Sequence, residues 1–221
     1  SFGGMLASIL AAHHPERVRA AILAGTAAGI GPAYPYMLAP HFHAERTSFE
    51  GWDKYNRGHW LTDYPDFAAH FVGQIFSEPH STRQIEDGLE WAAETSGAVL
   101  VKTVEARAIP PAFDTGEAMY RRIACPLLLI HGDDDRIQPL ARAEAVAAIT
   151  GAELVTIAGG GHNPLGRFPA RANALIVDFL DRRVGIPAPG PTRGPRQGRT
   201  RKALYLSSPI GLGHGRRDIA I

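Results

Sequence analysis

The sequence of 221 residues is 45% apolar with a formal net charge of +1, which suits one globular domain with a segment attached. Its single cysteine, Cys125, excludes an internal disulfide and fits a reducing cytoplasm, and no apolar run approaches the ~20 residues that a membrane-spanning helix needs. The charge is unevenly spread: residues 1–181 hold 14 basic and 21 acidic side chains, and residues 182–221 hold 9 basic and 1 acidic, so two unlike kinds of sequence are joined.

The first element predicted is a helix over 2–13, where Met5, Leu6, Ile9 and Leu10 fall at helical spacing. After the break at Pro15, a short apolar run predicts a buried strand near 18–24, ending at Gly25. Residues 26–122 change character. They are rich in aromatic residues and show no strand alternation, and Phe67, Phe71 and Ile75 recur every four residues as on one helix face. A helical insertion is expected here, with Ser81 and Gln84 forming a capping box at the start of a helix over Thr82–Thr95.

Strands return at 125–132 and 153–159, separated by an Ala-rich helix over 139–150 and followed by a helix over 170–183. Strands separated by helices imply parallel β-α-β units, hence an α/β fold. Residues 185–198 hold four Gly and four Pro, so 183–202 reads as a disordered linker. Residues 203–221 then start a second unit with a strand over 203–207 and a Gly-rich loop. This tail is not expected to dock on the body.

Acyl transfer by serine requires a hydroxyl nucleophile, a histidine to take its proton and a carboxylate to orient that histidine. "SFGG" opens the first helix, "HGDDDRIQP" follows the second strand, and "GGGHNPLGRFP" follows the third. These motifs, in this order and at these strand ends, resemble the α/β-hydrolase superfamily, in particular serine hydrolases with a helical lid. The resemblance covers residues 1–182 and implies the C-terminal part of a mainly parallel α/β-hydrolase sheet, with a cap at about 26–122. It implies Ser1 as nucleophile, Asp135 as acid and His162 as base. Asp133 and Asp134 compete with Asp135, and the family's spacing from Gly132 favours Asp135.

The Phe2 backbone N–H would be one oxyanion donor. The strand before Ser1 and the loop with the second donor are expected upstream, so the sequence reads as a fragment, inactive or nearly so by itself. Trp52, Trp60, Phe67 and Phe71 would either line an apolar substrate pocket or form the core of the cap. Segment 203–221 resembles the first strand and loop of a GT-B glycosyltransferase, with His214 at the position of a base on the acceptor.

The expected substrate is a small acyl compound, an ester, thioester or relative, with no metal, organic cofactor or nucleic acid involved. The competing reading is a non-catalytic, hydrolase-like binding or scaffold module fused to a glycosyltransferase. His131 is expected to be a packed core histidine, and His41 with His43 is too small a set to hold a metal.

Overall fold

A computed structural model describes residues 1–106 and 115–185. The chain begins with helix α1, Phe2–His13, and strand β1, Ala21–Ala24. Helices α2 (Ala39–Phe42), α3 (Arg57–Thr62), α4 (Tyr64–Ile75), α5 (Thr82–Ala92), α6 (Gly97–Glu105) and α7 (Glu117–Arg121) follow. Strand β2 (Leu127–Gly132), helix α8 (Leu140–Thr150), strand β3 (Glu153–Ile157) and helices α9 (Pro164–Arg167) and α10 (Pro169–Val184) complete the described part.

The three strands form one parallel sheet in the order β1-β2-β3, with Ala21 opposite Leu127 and Leu128 opposite Glu153. This is the fold class read from the sequence. The strands are shorter than their apolar runs. The last bond of the β1–β2 ladder on the N-terminal side goes from Ala21 N–H to the Pro126 carbonyl at 3.0 Å. Pro126 has no N–H to return, so the ladder stops there and Val18 packs beside the sheet instead of joining it.

Strand β2 is buried along its length because both faces are covered. Leu127 and Leu129 pack against residues of α1, α7 and α8, including Ile9, Met119 and Val146. Leu128 and Ile130 point the other way, toward Ile157 and Phe179 of α10. Burying each such side chain stabilises the fold by about 1.5–3 kcal/mol. Helix α8 ends on Gly151 at φ 68°, and α10 ends on Gly185 at φ 65°, both left-handed C-terminal caps.

Among its described residues the insertion between β1 and β2 carries helices and no strand, with an aromatic core of its own in which Phe42, Trp60 and Phe67 interlock. Two expectations change. Helix α7 packs with the sheet rather than with the cap: Met119 and Tyr120 are fully buried in the main core, because a parallel crossover must lay its last helix back on the sheet. The capping box at Ser81 does not form. The Ser81 hydroxyl donates to the Glu78 carbonyl at 2.7 Å and makes no side-chain cap bond to the helix. Side-chain caps occur instead at Asn56, Asp63 and Ser96.

Helix α10 also takes in residues 183 and 184 of the expected linker. Residues 186–202 of that linker, the strand over 203–207 and His214 lie outside the described residues. No helix among the described residues is long and apolar enough to cross a membrane.

The tightest point of the sheet is Gly132, where a Cβ would lie 2.0 Å from the Gly160 carbonyl oxygen. Both atoms belong to backbone that is hydrogen-bonded, so neither side yields easily. Gly132→Ala is expected to destabilise the protein by about 1–3 kcal/mol or more, read as a lower denaturant midpoint at unchanged slope.

Candidate active site

Parallel strands bring their C-terminal ends to one edge of the sheet, where α/β folds place their sites. Three loops meet there: 25–28 after β1, 133–138 after β2, and 158–163 after β3. The N-terminus of α1 joins them. The Ser1 carbonyl accepts hydrogen bonds from the N–H groups of Ala27 and Gly4, both at 3.1 Å. Ser1 is thereby fixed against the first loop and at the positive end of α1, which Phe2 opens.

The three adjacent aspartates separate. Asp133 Oδ1 accepts the Gly159 N–H at 2.6 Å and ties the second loop to the third. Asp134 faces solvent and pairs with Arg136 at 3.0 Å. Asp135 turns inward, is 2% exposed, and meets His162 Nδ1 at 2.9 Å through Oδ2 and 3.1 Å through Oδ1.

Four donors converge on the Asp135 carboxylate. Oδ1 accepts the backbone N–H groups of Ile137 and Gln138, each at 2.8 Å, and Oδ2 lies 3.1 Å from His131 Nε2. The same His131 nitrogen is 2.9 Å from the Gln138 carbonyl. It faces two acceptors, so it carries the proton. His131 is buried as its sequence context predicts, yet it also touches the carboxylate of the expected acid.

Burial works to raise the Asp135 pKa, but the charge and hydrogen bonds of His162 and His131 outweigh it and hold the carboxyl well below the usual carboxylate range. Burial lowers the pKa of His162, against the opposing pull of Asp135. The resting pair is an aspartate and a neutral imidazole. Its Nδ1–H donates to Asp135, leaving Nε2 as the basic nitrogen. Gly25, at φ 51°, passes directly under the ring: a Cβ there would lie 2.3 Å from the His162 carbonyl oxygen and 3.2 Å from Nδ1.

The aromatic residues named from the sequence divide. Trp60 and Phe67 are each 3% exposed and pack inside the cap core. Trp52 stacks on Tyr36, with ring centroids 3.6 Å apart, and meets Phe71 edge to face. Sequence reasoning missed the two tyrosines that join cap to site. Tyr34 O–H donates to the Asp135 carbonyl and Tyr36 O–H to the Arg136 carbonyl, both at 2.7 Å. No local pattern marks them, since their acceptors lie about a hundred residues away. His41 is held by the Trp52 carbonyl and Arg46. Burial pushes the Cys125 thiol up, away from thiolate character.

The model of the alpha/beta hydrolase family matches residues 1–175. The chain belongs to the alpha/beta hydrolase family. Among solved structures, a hydrolase from Pseudomonas aeruginosa is 26% identical, covers 80% of this chain and 61% of its own, and superposes with a TM-score of 0.58. An enol-lactonase from Burkholderia xenovorans is 23% identical over 81% of this chain, with a TM-score of 0.60. A thermophilic esterase from Thermogutta terrifontis is 21% identical over 82%, with a TM-score of 0.62. This alpha/beta hydrolase chain spans 61% to 63% of the length of these three structures. No curated protein matches it.

Both titration shifts destabilise the fold on acidification. Unfolded His162 binds a proton more readily than folded His162, so stability falls as pH drops through 6.5. Unfolded Asp135 does the same as pH drops through 3.8. Chemical-denaturation midpoints measured across this range are expected to fall in both regions, and His162→Gln is expected to remove the component that begins near pH 6.5.

Proposed function

We propose that this alpha/beta hydrolase is a serine hydrolase acting on an ester, thioester or related acyl bond. The observation that carries the reading is the 2.9 Å bond between His162 and Asp135 at the sheet edge where Ser1 begins α1. A buried carboxylate holding a neutral imidazole is the arrangement that activates a serine hydroxyl.

Ser1 Oγ attacks the acyl carbon as His162 Nε2 takes its proton, and the carbonyl electron pair moves onto oxygen. Asp135 keeps the ring in the tautomer with hydrogen on Nδ1 and stabilises the imidazolium that forms. The Phe2 N–H, in the first turn of α1, donates to the developing oxyanion. Collapse of this intermediate breaks the bond to the leaving group, which leaves with the proton from His162. Water then repeats the sequence on the acyl-serine, with His162 as its base, and frees the acid. No step calls for a metal or organic cofactor. The Pseudomonas aeruginosa relative carries the name hydrolase, which accords with this reading.

Turnover of a p-nitrophenyl ester by the full-length protein tests the assignment. Ser1→Ala is expected to lower kcat on the order of 10⁴-fold or more, since loss of the nucleophile removes the step that the other groups serve. An unchanged rate would overturn it.

A further inference from the structure

We propose that Glu78 is a positioning residue of the site: a carboxylate carried by the cap that grips the histidine loop and sets the angle of the His162 ring toward Asp135. The proposal rests on the reading of His162 as the proton carrier.

The turn from the end of α4 to the start of α5 reaches the histidine loop at two places and the helix after it at a third. The Ile75 carbonyl, in the last turn of α4 where carbonyls lack a helical partner, accepts the His162 N–H at 3.1 Å. Glu78 Oε1 accepts the neighbouring Gly161 N–H at 2.7 Å. The Pro79 carbonyl accepts from Arg167 Nη2 at 2.8 Å, at the end of α9, the helix that follows the loop. Two consecutive amides, those of the candidate base and the residue before it, are therefore bonded by the cap and not by the sheet.

The turn making these bonds is itself fixed. Ile75 and Phe76 are buried in a cluster that also takes Ile137 from the acid loop, and the Ser81 hydroxyl closes the turn on the Glu78 carbonyl. Acid loop and histidine loop are joined on their other side by Asp133 to Gly159 and by the Asp134 N–H to the Gly160 carbonyl at 3.0 Å. The histidine loop is held between the acid loop and the cap.

The choice of side chain is informative. Glu78 is 7% exposed, and its second oxygen, Oε2, is buried without a hydrogen-bond partner. Burying a carboxylate is costly compared with burying a neutral acceptor, and one amide bond recovers part of that cost. A purely structural turn has cheaper ways to satisfy one N–H. A charged acceptor forms the shorter and stronger bond, which suits an amide one residue from a ring whose direction must be kept.

The test is made in the full-length protein with Glu78→Ala and Glu78→Gln beside Ser1→Ala. Glu78→Ala is expected to lower kcat about 10- to 100-fold, the scale of a misplaced catalytic group, with KM for a small ester little changed. Glu78→Gln keeps an oxygen acceptor but loses the charge-assisted bond, and is expected to lose clearly less of kcat than Glu78→Ala while falling short of the unmodified protein. The downfield proton resonance of His162 Nδ1–H is expected to shift or broaden in Glu78→Ala and to stay in Glu78→Gln. The proposal is overturned if Glu78→Ala leaves kcat and the resonance unmoved, whatever happens to its thermal midpoint, or if glutamine loses as much as alanine. Full turnover by Ser1→Ala would instead sink the serine-hydrolase reading. The resonance would then still report whether Glu78 governs the His162–Asp135 bond.

Discussion

The structure depends on a buried charge, the carboxylate of Asp135. Removing a carboxylate from water is among the costliest steps in folding, and it is tolerated only where donors replace the lost hydration. Here two backbone amides and two imidazoles supply them. The amides of Ile137 and Gln138 come from the residues immediately following, so the loop wraps around its own side chain. The imidazoles come from β2 and from the loop after β3. One charge thereby fixes the conformation of its own loop, the tautomer of His162 and the proton on His131.

The same charge orders the surrounding layers. Tyr34 and Tyr36, at the start of the cap, donate to carbonyls of the acid loop, and Ile137 of that loop packs into the cap's second apolar cluster. On the far side, the end of α4 bonds the histidine loop. The cap is tied to the site at two places: through Tyr34 and Tyr36, which follow β1, and through the turn before α5. Sheet, acid loop, histidine loop and cap form one continuous hydrogen-bonded unit around the His162–Asp135 bond.

Packing explains why the motifs fall where they do. The three strands are parallel, so their C-terminal ends share one edge, and Gly25, Asp135 and His162 all lie in the loops that follow them there. Gly25 and Gly132 are the close approaches that let these loops meet: the first faces His162, the second the Gly160 carbonyl. A side chain at either position would push the loops apart and with them the Asp135–His162 bond.

The sequence by itself determined the α/β class, the three strands, the helical insertion and the pairing of Asp135 with His162. The first three are carried by local patterns, apolar runs of strand length and helical spacing; the pairing comes from the resemblance to alpha/beta hydrolases, whose spacing from Gly132 favours the third aspartate of a row. Strand ends were misjudged where Pro126 stops the ladder, because apolar character continues past the last residue able to donate a hydrogen bond. Only the tertiary structure decided that Trp60 and Phe67 fill the cap core, that α7 belongs to the sheet, that Ser81 closes a turn instead of capping a helix, and that His131, Tyr34, Tyr36 and Glu78 attend the site. The physical reason is common to all of them. A buried polar group must find a partner wherever the packed chain provides one, and these partners lie far away in sequence, about 100 residues for the tyrosines and 83 for Glu78 and Gly161. No pattern along the chain records which distant carbonyl or amide packing will bring within reach.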